Sequence, residues 1–340
     1  MLFEGKKILV TGGTGSLGKT LIYRLLTSEM GKPEKVTAFS RDEAKQHEMR
    51  LEWKHLAQAT DEVVYKEAHD LLHFQVGDVR NYATLCRAIR GHDIVFNAAA
   101  LKQVPTCEYF PMEAVETNVI GPHNLVRAVL ESNHPPELVV GVSTDKACKP
   151  VNVMGMTKSL QERILIQANL ESKKTRWMCV RYGNVIASRG SAIPLFQEQI
   201  KRGGPVTITL KEMTRFLLSL DRAVDTIFAT VRWGKAGETF IPKCPAARVV
   251  DIAKLMIGDK KIPIVYTGIR PGEKIHEVLV SEEECYRTVA RENYYAIQPI
   301  LPELRSEEKG KRSLTKEYSS SDHTINSDTL SDILKTAGYI

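Results

Sequence analysis

Near its start the chain reads Thr11-Gly12-Gly13-Thr14-Gly15-Ser16-Leu17-Gly18, directly after a short β-branched run and directly before a helical pattern. Glycines at 12, 15 and 18 let the backbone turn tightly, approach a ligand closely and seat the following helix on a sheet. The amides at that helix N-terminus then face a pyrophosphate. A glycine string alone also fits a plain tight turn. Its place between a strand and a helix points instead to a dinucleotide held by Gly12, Thr14, Gly15, Ser16, Leu17 and Gly18.

The rest of the first half repeats the same rhythm. Strands are expected at Lys7–Thr11, Lys35–Phe39, His73–Val76, Ile94–Asn97, Leu138–Ser143 and Trp177–Arg181, with helices such as Leu17–Leu26, Ala83–Ile89 and Asn118–Leu130 between them. Alternating strand and helix implies right-handed crossovers and a parallel sheet covered on both faces, the α/β doubly wound (Rossmann) architecture. After about residue 185 the rhythm loosens, and Gly203-Gly204-Pro205 and Pro271-Gly272 punctuate shorter elements. The expected division is a dinucleotide domain over 1–185, with elements from about 216–242, and a smaller C-terminal substrate lobe and tail over 186–215 and 243–340. Residues 303–325, rich in charge and serine, read as an exposed excursion, and Ser327–Thr336 as a helix.

The end of the second strand bears on which dinucleotide binds. A carboxylate there accepts from the adenosine ribose and favours NAD. Here the string is Phe39-Ser40-Arg41-Asp42-Glu43 with Lys45 behind it, and Ser40 and Arg41 suit a 2′-phosphate. NADP is therefore expected over NAD, although a solvated charged turn would look similar. Asp78 and Val79, after the third strand, are expected beside the adenine. Ala98, Ala99 and Ala100 let the chain pass close under the cofactor, or simply pack tightly, and Asn118 is assigned to the same wall.

Ser143-Thr144-Asp145-Lys146 closes the fifth strand, at the sheet edge where doubly wound folds bind ligands. Met154 and Lys158 follow, one turn apart on one helix face. This layout resembles the active site of extended short-chain dehydrogenases, where a Ser or Thr precedes a Tyr-x-x-x-Lys helix. Lys158 would then hold the nicotinamide ribose while residue 154 faces the substrate. The departure is Met154 in the tyrosine's place, since a thioether cannot accept a proton from a sugar hydroxyl. Asp145 beside Lys146 offers an acid and an amine to divide that work, although a capping Asp next to a solvated Lys is the plainer alternative.

Further strings sharpen the resemblance: Ala98–Pro105, Arg181–Val185, Ala187–Ser191, Met213–Phe216 and Arg270–Lys274, in this order. Over roughly residues 5–300 the chain resembles the UDP-N-acetylglucosamine 4,6-dehydratases of bacterial surface-polysaccharide and flagellin-glycan pathways. It looks most like the short, capsule-type C5-inverting members, several of which also carry Met at the tyrosine position. The resemblance implies that Lys146 removes the C5 proton, Asp145 protonates the departing 6-hydroxyl and Thr144 bonds near O4. It further implies that Lys102, Asn184, Arg189, Arg215, Arg270 and Glu273 hold the UDP-sugar, and that the protein is a homo-oligomer. A lysine base must spend time neutral, which calls for burial or a cationic neighbour, with Lys102 and Lys158 the candidate neighbours.

Two other readings share part of this pattern. A nucleotide-sugar 4-epimerase has the same fold and ligands but needs no C5 base and normally relies on the missing tyrosine. A non-catalytic NADP-binding sensor would have no need of Asp145-Lys146. Composition narrows the field further: 43% hydrophobic and 26% charged residues in 340 suit a full globular core. The formal charge of +6 comes without a basic stripe, so nucleic acid is not an expected partner. No apolar run reaches the about 20 residues of a membrane span and no signal-peptide pattern opens the chain, so a cytoplasmic protein is expected. Six scattered cysteines without a Cys-x-x-Cys pair read as reduced thiols, mostly buried. No metal site is expected, and His276 reads as structural.

Overall fold

Inward-facing β-branched residues alternate with their neighbours along each strand, and this period of two decides which layer each side chain enters. In the computed structural model, which describes residues 1–59, 70–186, 192–305 and 312–340, nine strands form the main sheet in the order β13-β14-β9-β6-β5-β4-β1-β2-β3. The strands are β1 (Lys7–Thr11), β2 (Lys35–Ser40), β3 (Leu72–Val76), β4 (Ile94–Asn97), β5 (Leu138–Thr144), β6 (Arg176–Tyr182), β9 (Thr239–Pro242), β13 (Thr288–Arg291) and β14 (Tyr294–Ile297). From β3 through β9 every pairing is parallel. This is the doubly wound sheet expected from the sequence.

Ile8, Val10, Phe96 and Val140 face one layer, packed on helices Ser16–Leu26 and Leu220–Trp233. Leu9, Val95, Val139 and Trp177 face the other, against helices Tyr82–Ile89, Gly121–Leu130 and Val153–Glu171. Each large apolar side chain taken fully out of water in this way contributes about 1.5–3 kcal/mol. The helix expected over Asn118–Leu130 begins as α-helix only at Gly121, after a π-helical turn over Glu116–Ile120. Pro122 lacks the N–H that would bond the carbonyl of residue 118, so a regular ladder cannot run through this point.

Shorter strands build the smaller lobe. β7 (Val206–Ile208) pairs with β11 (Ile264–Tyr266), β8 (Thr214–Phe216) with β10 (Ala246–Arg248), and β12 (Val278–Val280) with β15 (Tyr318–Ser319). Its own core includes Phe196, Ile208, Met213, Ile252, Leu330 and Leu334. Leu330 and Leu334 come from the C-terminal helix Ser327–Thr336, which lies where the sequence placed it.

Two expectations are corrected. The hairpin β13–β14 extends the main sheet antiparallel to β9, although residues 243–340 were expected in the smaller lobe. The stretch 303–325 is not a continuous exposed excursion: Tyr318, Ser319 and Ser320 are buried, and the Tyr318 hydroxyl bonds both N and O of Cys244. Pairing with β12 removes those backbone groups from water, which a charge-rich composition does not reveal. Residues 306–311 of that stretch lie outside the described residues.

All six cysteines are free thiols, five of them buried. No helix among the described residues is long and apolar enough to cross a membrane.

Candidate active site

The glycine loop passes so close to its surroundings that side chains are excluded. A Cβ on Gly12, whose φ is +69°, would lie 2.9 Å from the carbonyl of Ala98, and one on Gly18 would lie 2.4 Å from the Gly12 oxygen. Thr14 is buried, and Ser16 and Leu17 open the helix. That helix has Gly15 at its N-cap, with no side-chain cap and no acidic residue in its first turn. Its leading amides are thus left for an anion, and the cradle fits a dinucleotide pyrophosphate.

At the end of β2, Gln46 donates to the buried Ser40 Oγ at 3.1 Å, and Arg41 stands half exposed with its guanidinium 4.0 Å from Asp78. Lys45 is paired with Asp42, which holds that carboxyl below its ordinary value. Asp78 also takes two side-chain bonds from Arg80, and Val79 is buried against Gly121. Ala98 and Ala99 are half-buried and Ala100 is exposed. Asn118 is fully buried and spends its amide on the backbone of Leu101, at 2.8 and 2.9 Å, and on Thr157 Oγ1. Its contacts fix the chain leaving β4.

β5 ends in a 3₁₀ turn, Asp145–Ala147, capped by Thr144. Asp145 is completely buried, and its Oδ1 accepts from Thr144 Oγ1 at 2.9 Å and from Lys146 Nζ at 3.0 Å. Lys146 Nζ also donates to Asn184 Oδ1 at 3.1 Å and to Glu277 Oε1 at 3.2 Å. The helix Val153–Glu171 packs directly on this turn: a Cβ on Gly155 would meet the Lys146 carbonyl at 2.2 Å. Asn152 caps that helix and reaches Gly272 O at 2.8 Å, tying it to the Arg270–Glu273 turn of the lobe.

The charged groups bonded to Lys146 are carboxylates, and the cation that acts on it is Arg215. Burial disfavours its charge, but Asp145 and Glu277 outweigh burial and hold the amine above its ordinary value, with Arg215 opposing them. Asp145 is pushed up by burial and then by Glu277, against Lys146. Burial alone would raise Glu277 too, but Lys146, Arg215 and Lys274 bring it below its ordinary value. Lys158 shares a helix face with Met154, yet its Nζ donates to Val142 O and Gln161 Oε1, both at 2.6 Å, and burial pushes it down to about 8. Lys102 lies exposed on the loop after β4. Met154 is buried among Cys107 and Ala114, an apolar contact in keeping with a side chain that carries no proton.

The lobe supplies the remaining groups. Arg215 bonds the carbonyls of Thr214 and Ile275 and lies 3.8 Å from Glu277. Glu273 accepts from Thr209, and Arg270 is exposed on the same turn. Arg189 lies outside the described residues. His276 Nδ1 sits 2.8 Å from Thr214 Oγ1.

Two features escaped the sequence reading. Glu277 meets Lys146 across 131 positions, and no local spacing announces that contact. Arg181, fully desolvated, bridges Glu162 on the helix and Glu284 in the lobe at 2.6 and 2.7 Å. An arginine at a strand end, followed by Tyr-Gly-Asn, was the only signal for it.

A family model described as "Polysaccharide biosynthesis protein" matches residues 8–299. A protein named UDP-glucose 4-epimerase from Rickettsia massiliae (strain Mtu5) is 40% identical over 350 residues, covering 100% of this chain and 98% of its own. The X-ray structure of Pen from Bacillus thuringiensis is 33% identical, with a TM-score of 0.88 and full coverage of both chains. DesIV, a dTDP-glucose 4,6-dehydratase from Streptomyces venezuelae, was solved with NAD and TYD bound. It is 19% identical at a TM-score of 0.65, over 79% of this chain and 86% of its own, and shows a shared fold.

Proposed function

The chain belongs to the polysaccharide biosynthesis protein family, and from that premise we propose that it is a nucleotide-sugar enzyme carrying out the NADP-dependent 4,6-dehydration of UDP-N-acetylglucosamine. One observation carries this reading: the pair of fully buried Asp145 and part-buried Lys146 at the sheet's C-terminal edge, on a turn packed against the helix that carries Met154, which cannot exchange protons.

The glycine loop would hold the dinucleotide pyrophosphate, Ser40 and Arg41 its 2′-phosphate, and Lys158 its nicotinamide ribose. When bound, the nicotinamide supplies hydride acceptance and return, so the sugar undergoes no net oxidation. The protein's own groups move the protons. Oxidation at C4 would release the O4 proton to Asp145, Lys146 or a water. The ketone acidifies the C5 proton, which Lys146 would take once its amine is neutral, and C5 would regain a proton when C6 is reduced. Asp145, whose acid form burial and Glu277 favour, would give its proton to the departing 6-hydroxyl while Thr144 orients O4. Asn184, just past β6, together with Arg215, Arg270 and Glu273 of the lobe would hold the UDP group, for which arginines suit the diphosphate.

A second reading, UDP-glucose 4-epimerase, is favoured by the name of the Rickettsia relative. That reaction needs no C5 base, which leaves Lys146 without a C5 proton to take; loss of the O4 proton is common to both reactions and does not separate them. Incubation with UDP-N-acetylglucosamine and UDP-glucose, followed by mass spectrometry and NMR, separates the two. Dehydration lowers the product mass by one water. Unchanged mass with inversion at C4 would overturn our reading. Lys146→Ala should keep NADP binding but lose deuterium incorporation from solvent at C5, and exchange at the wild-type rate would remove Lys146 from the base role.

A further inference from the structure

We infer that Glu277 is the counter-ion of Lys146, and that by occupying this position it leaves Asp145 as the proton-carrying acid of the site. The inference rests on the dehydration reading only for what the acid acts upon. Its charge assignment stands on geometry.

Lys146 Nζ has three acceptors within 3.2 Å: Asp145 Oδ1, Asn184 Oδ1 and Glu277 Oε1. An ammonium has three N–H donors and satisfies all of them, whereas a neutral amine has two. The resting lysine is therefore charged and shared between two carboxyl groups, and two adjacent buried carboxylates facing one cation do not both ionise comfortably. Their surroundings differ. Glu277 has a second cation, Arg215 Nε, at 3.8 Å, and Lys274 acts on it more strongly than on Asp145. Asp145 has no cation beyond Lys146 within 4.0 Å among the described residues, and it is wholly enclosed. Lys158, on the helix packed against this turn, points at Val142 O instead.

The oxygen that takes the proton also follows. Asp145 Oδ1 already accepts from Thr144 and Lys146, while Oδ2 is buried with no hydrogen-bond partner among the described residues. A proton on Oδ2 is thus not committed to the protein. Glu277 Oε2 is likewise buried without a partner among the described residues, so the second cation beside Glu277 separates the two acids. Glu277 is itself held rigidly: its N–H donates to Ser320 Oγ at 2.9 Å, and Ser320 N–H donates to its carbonyl at 2.8 Å. The buried start of the 3₁₀ turn Ser320–His323, just after β15, therefore fixes the counter-ion, making Glu277 a positioning residue that acts through Lys146 and Asp145. When Lys146 is to serve as a base, Glu277 Oε1 is a direct acceptor for the proton it sheds: an N–H bond breaks, an O–H bond forms, and the ion pair becomes a neutral pair.

Infrared spectroscopy of the full chain with NADP tests this through the carbonyl stretch of a buried carboxylic acid. Wild type should show the band at neutral pH, and Asp145→Asn should lack it. In Glu277→Gln the negative neighbour is gone, so the band should titrate away at a pH lower by about one unit or more. Glu277→Asp should restore the wild-type midpoint. The alkaline limb of the water-loss rate should move to lower pH in Glu277→Gln, because activity that needs protonated Asp145 ends as pH rises through its pKa. A merely structural defect would lower the rate without moving that limb. A band that persists in Asp145→Asn, or an unmoved midpoint in a folded, NADP-binding Glu277→Gln, overturns the inference. Should Glu277→Gln fail to fold, the Asp145→Asn spectrum and the Glu277→Asp midpoint still decide it. A wild type that releases no water defeats the dehydration reading alone and leaves the infrared result standing.

Discussion

The carbonyl oxygen of Lys146 lies 2.2 Å from where a Cβ on Gly155 would stand, so the helix carrying Lys158 presses its backbone directly onto the turn carrying Asp145 and Lys146. Gly155→Ala should therefore force the two apart. The expected cost is about 1–3 kcal/mol in urea-induced unfolding, together with loss of turnover out of proportion to that destabilisation. Wild-type activity in this variant would show that the contact yields easily.

Arg41 is the test of cofactor choice. Arg41→Ala should weaken NADP by at least about tenfold while leaving NAD nearly unchanged, because a charge-assisted bond to the 2′-phosphate is lost. Titration of dinucleotide binding by calorimetry reads both affinities. Equal weakening of NAD and NADP would assign Arg41 to the shared part of the dinucleotide.

Arg181 is the pin between sheet, helix and lobe. Arg181→Ala strands Glu162 and Glu284 in the interior and should cost about 3–5 kcal/mol in denaturant unfolding. Arg181→Lys should recover only part of this, since three ammonium donors cannot replace the planar guanidinium's five bonds to Glu162, Glu284 and the Leu279 carbonyl. The same network gives an acid limb. Burial alone would raise Glu284, but Arg181 holds it down to about 2 from an ordinary 4.5. Its contribution is therefore complete above about 4.5 and is lost as pH falls toward 2.

His92 supplies a second acid-sensitive point, far from the site. Burial pushes its imidazole down to about 4 from 6.5, and its Nε2 lies 2.8 Å from Thr37 Oγ1. Between those values the unfolded chain binds the extra proton, so stability present above 6.5 declines as pH falls toward 4, by about 3 kcal/mol. His92→Gln should flatten the pH dependence of the urea midpoint across that window. A slope identical to wild type would show that other groups set it.

The fold was legible because its signals are local. The glycine string, the strand-helix rhythm and the β-branched alternation from Lys7 to Arg181 each act within a few residues, and they yielded the parallel sheet and its cradle. The site was legible only in part. Asp145 and Lys146 are chain neighbours at a strand end, and Met154 and Lys158 lie one helix turn apart, so local spacing was enough to name them as candidates. Arg189 lies outside the described residues, so its place cannot be compared.

By itself the sequence determined the secondary-structure pattern, the dinucleotide cradle and the identity of the acid-amine pair. Only the tertiary structure decided that Glu277, carried by the smaller lobe and braced by Ser320, reaches Lys146, and that Lys146 rests charged between two carboxyl groups. It also decided that Tyr318–Ser320 is core and that β13–β14 completes the main sheet. The physical reason is range. Propensity and turn chemistry act between chain neighbours, whereas a buried charge takes its protonation from whatever distant side chains folding places around it.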